Sequence, residues 1–279
     1  MVENKNLKNI KNEFLSKIDK KFIELKNKNQ LALMPFLMAG DPNLEITSEI
    51  LLKLQEKGAD IIELGIPYSD PLADGPIIQF SASRALMSGT SPIKVIQLLE
   101  SLKGRLQIPV ILFTYFNPIL SFGVDNFCEL ASKAGVSGII IPDLPLEEAY
   151  KFSKIISTYS IDLILLVAPT TPLERMKKIS NCTRGFTYLV SVTGVTGERN
   201  KMENRVENLI FKLKEISVSP IAVGFGISSP EQVNKVRKWG ADGVIIGSAF
   251  VKRISNCNEK EVVNQIGNFC EKMRNAADK

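Results

Sequence analysis

Apolar and polar positions along the chain fall into two alternating patterns. Eight short runs are almost continuously apolar: 31–39 (LALMPFLMA), 60–65 (DIIELG), 109–115 (PVILFTY), 138–143 (GIIIPD), 162–169 (DLILLVAP), 186–192 (FTYLVSV), 221–226 (IAVGFG) and 243–248 (GVIIGS). Runs without polar alternation suit strands of a parallel sheet that is covered on both faces. Between them, segments such as 44–57, 124–133, 146–158, 203–216 and 230–238 repeat their apolar residues at helical spacing. Strand alternating with helix predicts a parallel α/β fold.

A weak internal repeat sharpens this reading. EKGADIIELG, SKAGVSGIIIPD and RKWGADGVIIGS each run from a helix end through Gly into a strand. The first Gly suits the position just past a helix, where positive φ is needed. Eight such units without a linker or low-complexity stretch predict one domain over residues 1–279, a closed (β/α)8 TIM barrel. An extra N-terminal helix is expected ahead of it. Leu7, Ile10, Phe14, Ile18 and Phe22 recur every three or four residues, which gives residues 1–30 one apolar face to pack on the barrel. A helix lying on a membrane surface is the alternative.

Strand spacing then points to the chemistry. Two units, from 60 to 109 and from 186 to 221, exceed the others, and the excess begins just after a strand. That is the C-terminal mouth, where barrels of this kind build their active sites. The two loops read ELGIPYSDPLADGP and SVTGVTGERN, and their Gly and Pro residues suit lids that exclude water.

Charge and composition remove several classes of function. The net charge is +5, and residues 1–30, with eight Lys against four acids, carry +4 of it. The body is close to neutral, without the basic stripe of a nucleic-acid binder. No stretch of about 18 apolar residues marks a membrane span. The four acids of the first segment argue against a transit peptide. The cytoplasm is the expected compartment, with a plastid stroma the alternative for an organelle-encoded copy. Four cysteines without CxxC spacing read as reduced thiols. There is no histidine, so a Ser-His-Asp nucleophile and a His-type zinc site are both excluded, and no metal is expected. None of the eight runs contains Lys, which argues against Schiff-base aldolase chemistry.

Proton transfer near neutral pH therefore falls to other groups, and the loop after the second run offers Glu63, Asp70 and Asp74. Any one of these carboxylates can either act on a substrate or merely cap backbone. Glu63, at the end of its strand among Ile62, Leu64 and aromatic side chains, would be poorly hydrated, which favours the protonated form. It then suits a proton donor that later acts as base. Asp74, more exposed, would stay charged and stabilise a cationic intermediate. A phosphate cradle is expected across the last three strand ends. Gly194 to Gly197 follow the sixth run, Gly224 to Ser229 the seventh, and Gly247 and Ser248 the eighth. Glycines admit backbone N–H groups to the oxygens, and a helix start adds favourable partial charge.

The motifs MPFLMAGDP (34–42), ELGIPYSDPLADGP, YLVSVTGVTG (188–197), GFGISSPEQV (224–233) and GSAFV (247–251), in this order, closely resemble the tryptophan synthase α subunit family. The resemblance spans about Met34 to Arg253. It implies a (β/α)8 barrel with an extra N-terminal helix and cofactor-free retro-aldol cleavage of indole-3-glycerol phosphate to indole and glyceraldehyde 3-phosphate. By position it implies that Glu63, Asp74 and Tyr188 are catalytic. It places Phe36, Phe113, Tyr115 and Ile140 in the indole pocket, and Gly197, Gly226, Gly247 and Ser248 at the phosphate. Thr196 would lie in a mobile lid, bonded to the Asp loop. It further implies a pyridoxal-phosphate β subunit that receives the indole in an α2β2 assembly, docked near Asp70, Pro71 and Asp143. A solitary lyase releasing free indole is the alternative within the family. Two positions depart from the family pattern: Val192, where Arg is usual in the lid, and Pro142, where a small residue is common.

Overall fold

The computed structural model describes residues 15–190, 199–224 and 226–278, except for the side chains of residues 199–204. Eight parallel strands close a barrel in sequence order, β1 (Ala32–Met38), β2 (Ile62–Gly65), β3 (Val110–Phe113), β4 (Gly138–Ile140), β5 (Asp162–Val167), β6 (Thr187–Val190), β7 (Ile221–Gly224) and β8 (Gly243–Ile246). Closure is made where β1 pairs with β8, Ala32 opposite Gly243 and Pro35 opposite Ile246. Each strand lies within one of the eight apolar runs of the sequence.

The runs are continuous because each strand feeds two cores. On β1, Leu33 and Leu37 pack into the outer layer beneath the helices, whereas Ala32, Met34, Phe36 and Met38 face the barrel interior. Successive side chains of a strand point to opposite faces, so a strand covered on both sides has no polar position to spare. The lower interior is filled by Met34, Ile61, Ile111, Ile140, Ile164, Phe186, Ala222 and Ile245.

Helix α1 (Lys17–Asn27) closes the base. Ser16 caps it by accepting from the Asp19 N–H at 3.1 Å, while the Asp19 carboxylate accepts from the Ser16 N–H at 3.1 Å. Its apolar stripe, Ile18, Phe22 and Leu25, is buried in the lower interior cluster, with the Phe22 and Phe186 rings 5.7 Å apart. Leu7, Ile10 and Phe14 lie outside the described residues.

The remaining helices wrap the barrel. α2 (Leu44–Glu56) follows β1, and β2 is followed by α3 (Pro76–Met87) and α4 (Pro92–Ser101). α5 (Phe116–Phe122) and α6 (Val124–Lys133) follow β3, α7 (Leu146–Ser157) follows β4 and α8 (Leu173–Cys182) follows β5. α9 (Arg199–Ile216) precedes β7, α10 (Pro230–Lys238) precedes β8, and α11 (Ser248–Asn256) and α12 (Glu259–Asp278) end the chain. Among the described residues no helix is long and apolar enough to cross a membrane.

The long unit after β2 is thus mostly helix, and only residues 66–75 form the loop at the mouth. The apolar periodicity of α3 is inverted. Its small residues Ser81, Ala82 and Ala85 face the barrel, while Ile77 and Phe80 face outward. α3 is tied down by Asp41, buried at the end of β1. The Asp41 carboxylate accepts from Arg84 Nε at 2.8 Å and Nη2 at 2.7 Å, and from the Ser81 hydroxyl.

Candidate active site

Alternation along β2 decides where the first carboxylate goes. Ile62 and Leu64 belong to the outer core and Ile61 to the inner one, so Glu63, between Ile62 and Leu64, points into the barrel. Glu63 is the second residue of β2, two before its end at Gly65, rather than the last residue of the strand as the run of apolar residues suggests. Its cross-strand neighbours are Phe36 on β1 and Ile111 on β3. The side chain is 3% exposed, and its Oε1 has no hydrogen-bond partner. Burial, with the Asp74 charge adding to it, pushes its carboxyl up to about 8. At neutral pH Glu63 is a neutral acid with an unsatisfied oxygen, the state a proton donor requires.

Asp74 returns to the same mouth from the loop after β2. The loop is turned by hydrogen bonds from Leu72 N–H to Asp70 carbonyl (2.9 Å) and from Asp74 N–H to Pro71 carbonyl (3.1 Å). It is pinned by the Ala73 N–H, which donates to the Tyr115 hydroxyl at 2.9 Å. Asp74 is half-buried. Burial raises its carboxyl to about 6, while hydrogen bonding from Tyr115 pulls it downward. At neutral pH it is an anion facing a neutral Glu63.

Tyr188 on β6 completes the ring of titratable groups. Its phenol is held well above its ordinary value by burial, and further by the charges of Glu63 and Asp74. Its fit is set by Gly224 on β7, where a Cβ would fall 2.3 Å from the Tyr188 hydroxyl oxygen. Only glycine leaves room for the phenol there.

An aromatic slot adjoins Glu63. Phe36 and Phe113 meet edge to face with ring centroids 5.7 Å apart, and Ile140, fully buried, is the β4 neighbour of Phe113. Tyr115, the cap residue of α5, lies instead against the Asp74 loop, so its contact is with the acid rather than with this slot. On the far side of Phe36 comes Gly247, where a Cβ would lie 3.6 Å from the Phe36 side chain.

The strand ends differ in how much backbone they offer an anion. At the start of α10 the Gln232 Oε1 already accepts from Ser228 N–H (2.7 Å), Ser228 Oγ (3.2 Å) and Ser229 N–H (3.2 Å). Ser228 and Ser229, which the sequence suggests as part of the cradle, are therefore spent on capping. The start of α11, after Gly247, has no side-chain cap, and while the Phe250 N–H donates to the Gly247 carbonyl at 2.8 Å, the N–H groups of Ser248 and Ala249 remain for a ligand. Gly226, at φ +33°, takes a backbone conformation that a side chain would strain. Thr196, Gly197 and Val192 lie outside the described residues.

The model of the family described as tryptophan synthase alpha chain matches residues 22–278. The chain belongs to the tryptophan synthase alpha chain family. It is 82% identical over 278 residues to the tryptophan synthase alpha chain of Prochlorococcus marinus subsp. pastoris, covering 100% of both chains. It is 59% identical over 263 residues to that of a Synechococcus strain, covering 94% of this chain and 98% of the relative. Among solved structures, tryptophan synthase subunit alpha from Legionella pneumophila superposes with a TM-score of 0.86 at 36% identity, covering 95% of this chain and 99% of that one. The family assignment and the barrel expected from the sequence agree. Membership of the tryptophan synthase alpha chain family makes this chain a lyase of tryptophan biosynthesis and implies a β-subunit partner.

Three residues around the site were not singled out by their sequence pattern. Tyr68 stacks on Tyr115 with ring centroids 5.3 Å apart, Asn117 donates to the Tyr68 hydroxyl at 3.1 Å, and Asp41 anchors α3 just beyond Asp74. Tyr68 lies inside the family's most specific motif, so its position was marked there even though its contacts were not. Of the residues suggested for a partner surface, Asp70 and Asp143 are accessible at the mouth, and Asp143 accepts from the Phe116 N–H at 3.0 Å.

Proposed function

We propose that Glu63 and Asp74 carry out the retro-aldol cleavage of indole-3-glycerol phosphate in this chain, with no cofactor. The neutral Glu63 carboxyl protonates indole C3, and the ionised Asp74 accepts the indole N–H and offsets the positive charge that develops on the ring. Glu63, now a carboxylate, removes the proton of the hydroxyl on the adjacent carbon. That oxygen's electron pair forms the aldehyde, the bond to C3 breaks, and its electrons restore the indole. Glu63 ends protonated, ready for the next turn.

The observation that carries this reading is the unlike setting of two carboxyls at one mouth: Glu63 is 3% exposed with Oε1 unpaired, which pushes it up to about 8, whereas Asp74 is half-buried on a loop pinned to Tyr115 and rises only to about 6. Paired acids whose surroundings drive their pKa values apart divide into acid and counter-charge. Tyr188 positions Glu63 and the substrate. Phe36, Phe113 and Ile140 form the sides of the indole slot, and Gly197, Gly226, Gly247 and Ser248 receive the phosphate.

The partner is a pyridoxal-phosphate β subunit in an α2β2 assembly, which takes the indole directly, and both chains work in the cytoplasm. The docking face is the mouth around Asp70, Pro71 and Asp143. Next to Asp70 and Pro71, Leu72 is 92% exposed, an apolar side chain that a docked partner would cover.

Indole release by the Glu63→Gln variant tests the assignment. Turnover should fall by at least the roughly 10²–10⁴-fold typical of general acid–base catalysis, with substrate binding retained. Normal turnover would remove Glu63 from the mechanism.

A further inference from the structure

Asp74 sits on a loop, and a loop carboxylate keeps its aim only if something rigid holds it. The Tyr115 hydroxyl does part of this. One acceptor site of its oxygen is taken by the Ala73 N–H at 2.9 Å, which fixes the residue before Asp74. A phenol has one proton to give, and with its oxygen pinned at Ala73 the Tyr115 hydroxyl stands beside the Asp74 carboxyl, which it holds downward. Tyr115 is itself held from outside. Tyr68 leans its ring on that of Tyr115 at 5.3 Å and 34°, and the Tyr68 hydroxyl accepts from Asn117 Nδ2 at 3.1 Å. Asn117 stands on α5, immediately beyond Phe116, whose N–H is fixed by Asp143. Tyr68→Phe would keep the ring contact, so the hydroxyl's contribution is the bond that ties the loop after β2 to α5.

We propose that Tyr68 is a positioning residue for Asp74, acting through Tyr115 and anchored by Asn117. The inference rests on the reading of Asp74 as the counter-charge to the indole nitrogen. Removing a donor from a carboxylate favours its protonated form, so loosening Tyr115 moves the Asp74 ionisation to higher pH. Among the described residues the other titratable groups acting on Asp74 and Tyr115 are Glu63 and Tyr188 in the barrel and Asp143 beside α5. All three stay in place in the variants below.

The test is the pH profile of kcat/KM for indole release in Tyr68→Phe, Asn117→Ala, Tyr115→Phe and the Tyr68→Phe/Tyr115→Phe double variant, with Asp74→Asn alongside. Tyr115→Phe should lower kcat/KM at pH 6 by roughly 2- to 10-fold, the worth of one ordinary hydrogen bond, and shift the acid limb upward. Tyr68→Phe and Asn117→Ala should shift the same limb in the same direction by less, and Tyr68→Phe should add nothing in the double variant. An unmoved acid limb in Tyr68→Phe and Asn117→Ala, or additive losses in the double variant, overturns the proposal while Asp74→Asn is inactive. If Asp74→Asn retains turnover, the reading of Asp74 itself falls.

Discussion

Phe36 on β1 and Glu63 on β2 are cross-strand neighbours whose side chains both enter the barrel, and the Phe36 ring meets Phe113 edge-on at 5.7 Å. The acid therefore opens onto an aromatic slot with no hydrogen-bond donor of its own for Oε1. One arrangement does two things. It keeps water from stabilising the Glu63 anion, and it gives the carboxyl aromatic neighbours against which an indole ring would pack with C3 toward the acid.

The first consequence is a bell-shaped pH dependence. Asp74 must be ionised and Glu63 protonated, so kcat/KM should fall below pH about 6 and above pH about 8. Initial rates of indole release between about pH 5 and 9 at low substrate check this. In Glu63→Gln the residual rate should lose its alkaline limb.

Stability follows from the same shift. The folded Glu63 carboxyl titrates at about 8 against an ordinary value of 4.5, so between these values the folded chain binds the extra proton. Its stability contribution is present below the ordinary value and is lost as pH rises through the folded one. Glu63→Gln, which cannot ionise, should therefore be more stable than the parent at about pH 9 by up to a few kcal/mol and nearly equal to it at about pH 5. Thermal unfolding at the two pH values measures the difference.

Gly224→Ala should damage both packing and turnover. The new methyl would fall 2.3 Å from the Tyr188 hydroxyl and 2.5 Å from its ring, forcing β7 or the phenol aside at about 1–3 kcal/mol. If the clash is with Tyr188, pairing Gly224→Ala with Tyr188→Leu should destabilise by less than the sum of the two single variants. Denaturant unfolding of the three variants gives the coupling.

How far the site was legible in the sequence depends on how local its causes are. The strands were legible because burial on both faces leaves runs such as 162–169 without polar residues, and the inward aim of Glu63 follows from its apolar neighbours on either side. α3 was not, because Ser81, Ala82 and Ala85 turn toward the barrel while Ile77 and Phe80 face water. That reverses the signal by which amphipathic helices are found. Ser228 and Ser229 belong to a stretch whose composition suggests a phosphate cradle, yet their N–H groups donate to Gln232 Oε1. The contact of Tyr68 with Asn117 joins residues 49 positions apart, a pairing that no local pattern encodes.

The Asp41–Arg84 pair should matter to the chemistry as well as to the fold. Asp41 is 2% exposed and its two oxygens are held by the Arg84 guanidinium. Arg84→Leu leaves a buried carboxylate without its cation, at about 2–4 kcal/mol given that Arg84 is partly open to water. α3 starts two residues after Asp74, so kcat/KM should fall together with the melting temperature. Normal kcat/KM in a destabilised variant would show that α3 does not set the Asp loop.

The proposed mechanism turns on a Glu63 carboxyl that stays neutral at physiological pH. The direct measurement is the Glu63 ionisation, followed by the side-chain carbon resonance of 13C-labelled glutamate and assigned by its loss in Glu63→Gln. A midpoint near 8 is expected. A midpoint near 4.5, the ordinary value for glutamate, would leave an anion where the mechanism needs an acid and would contradict it.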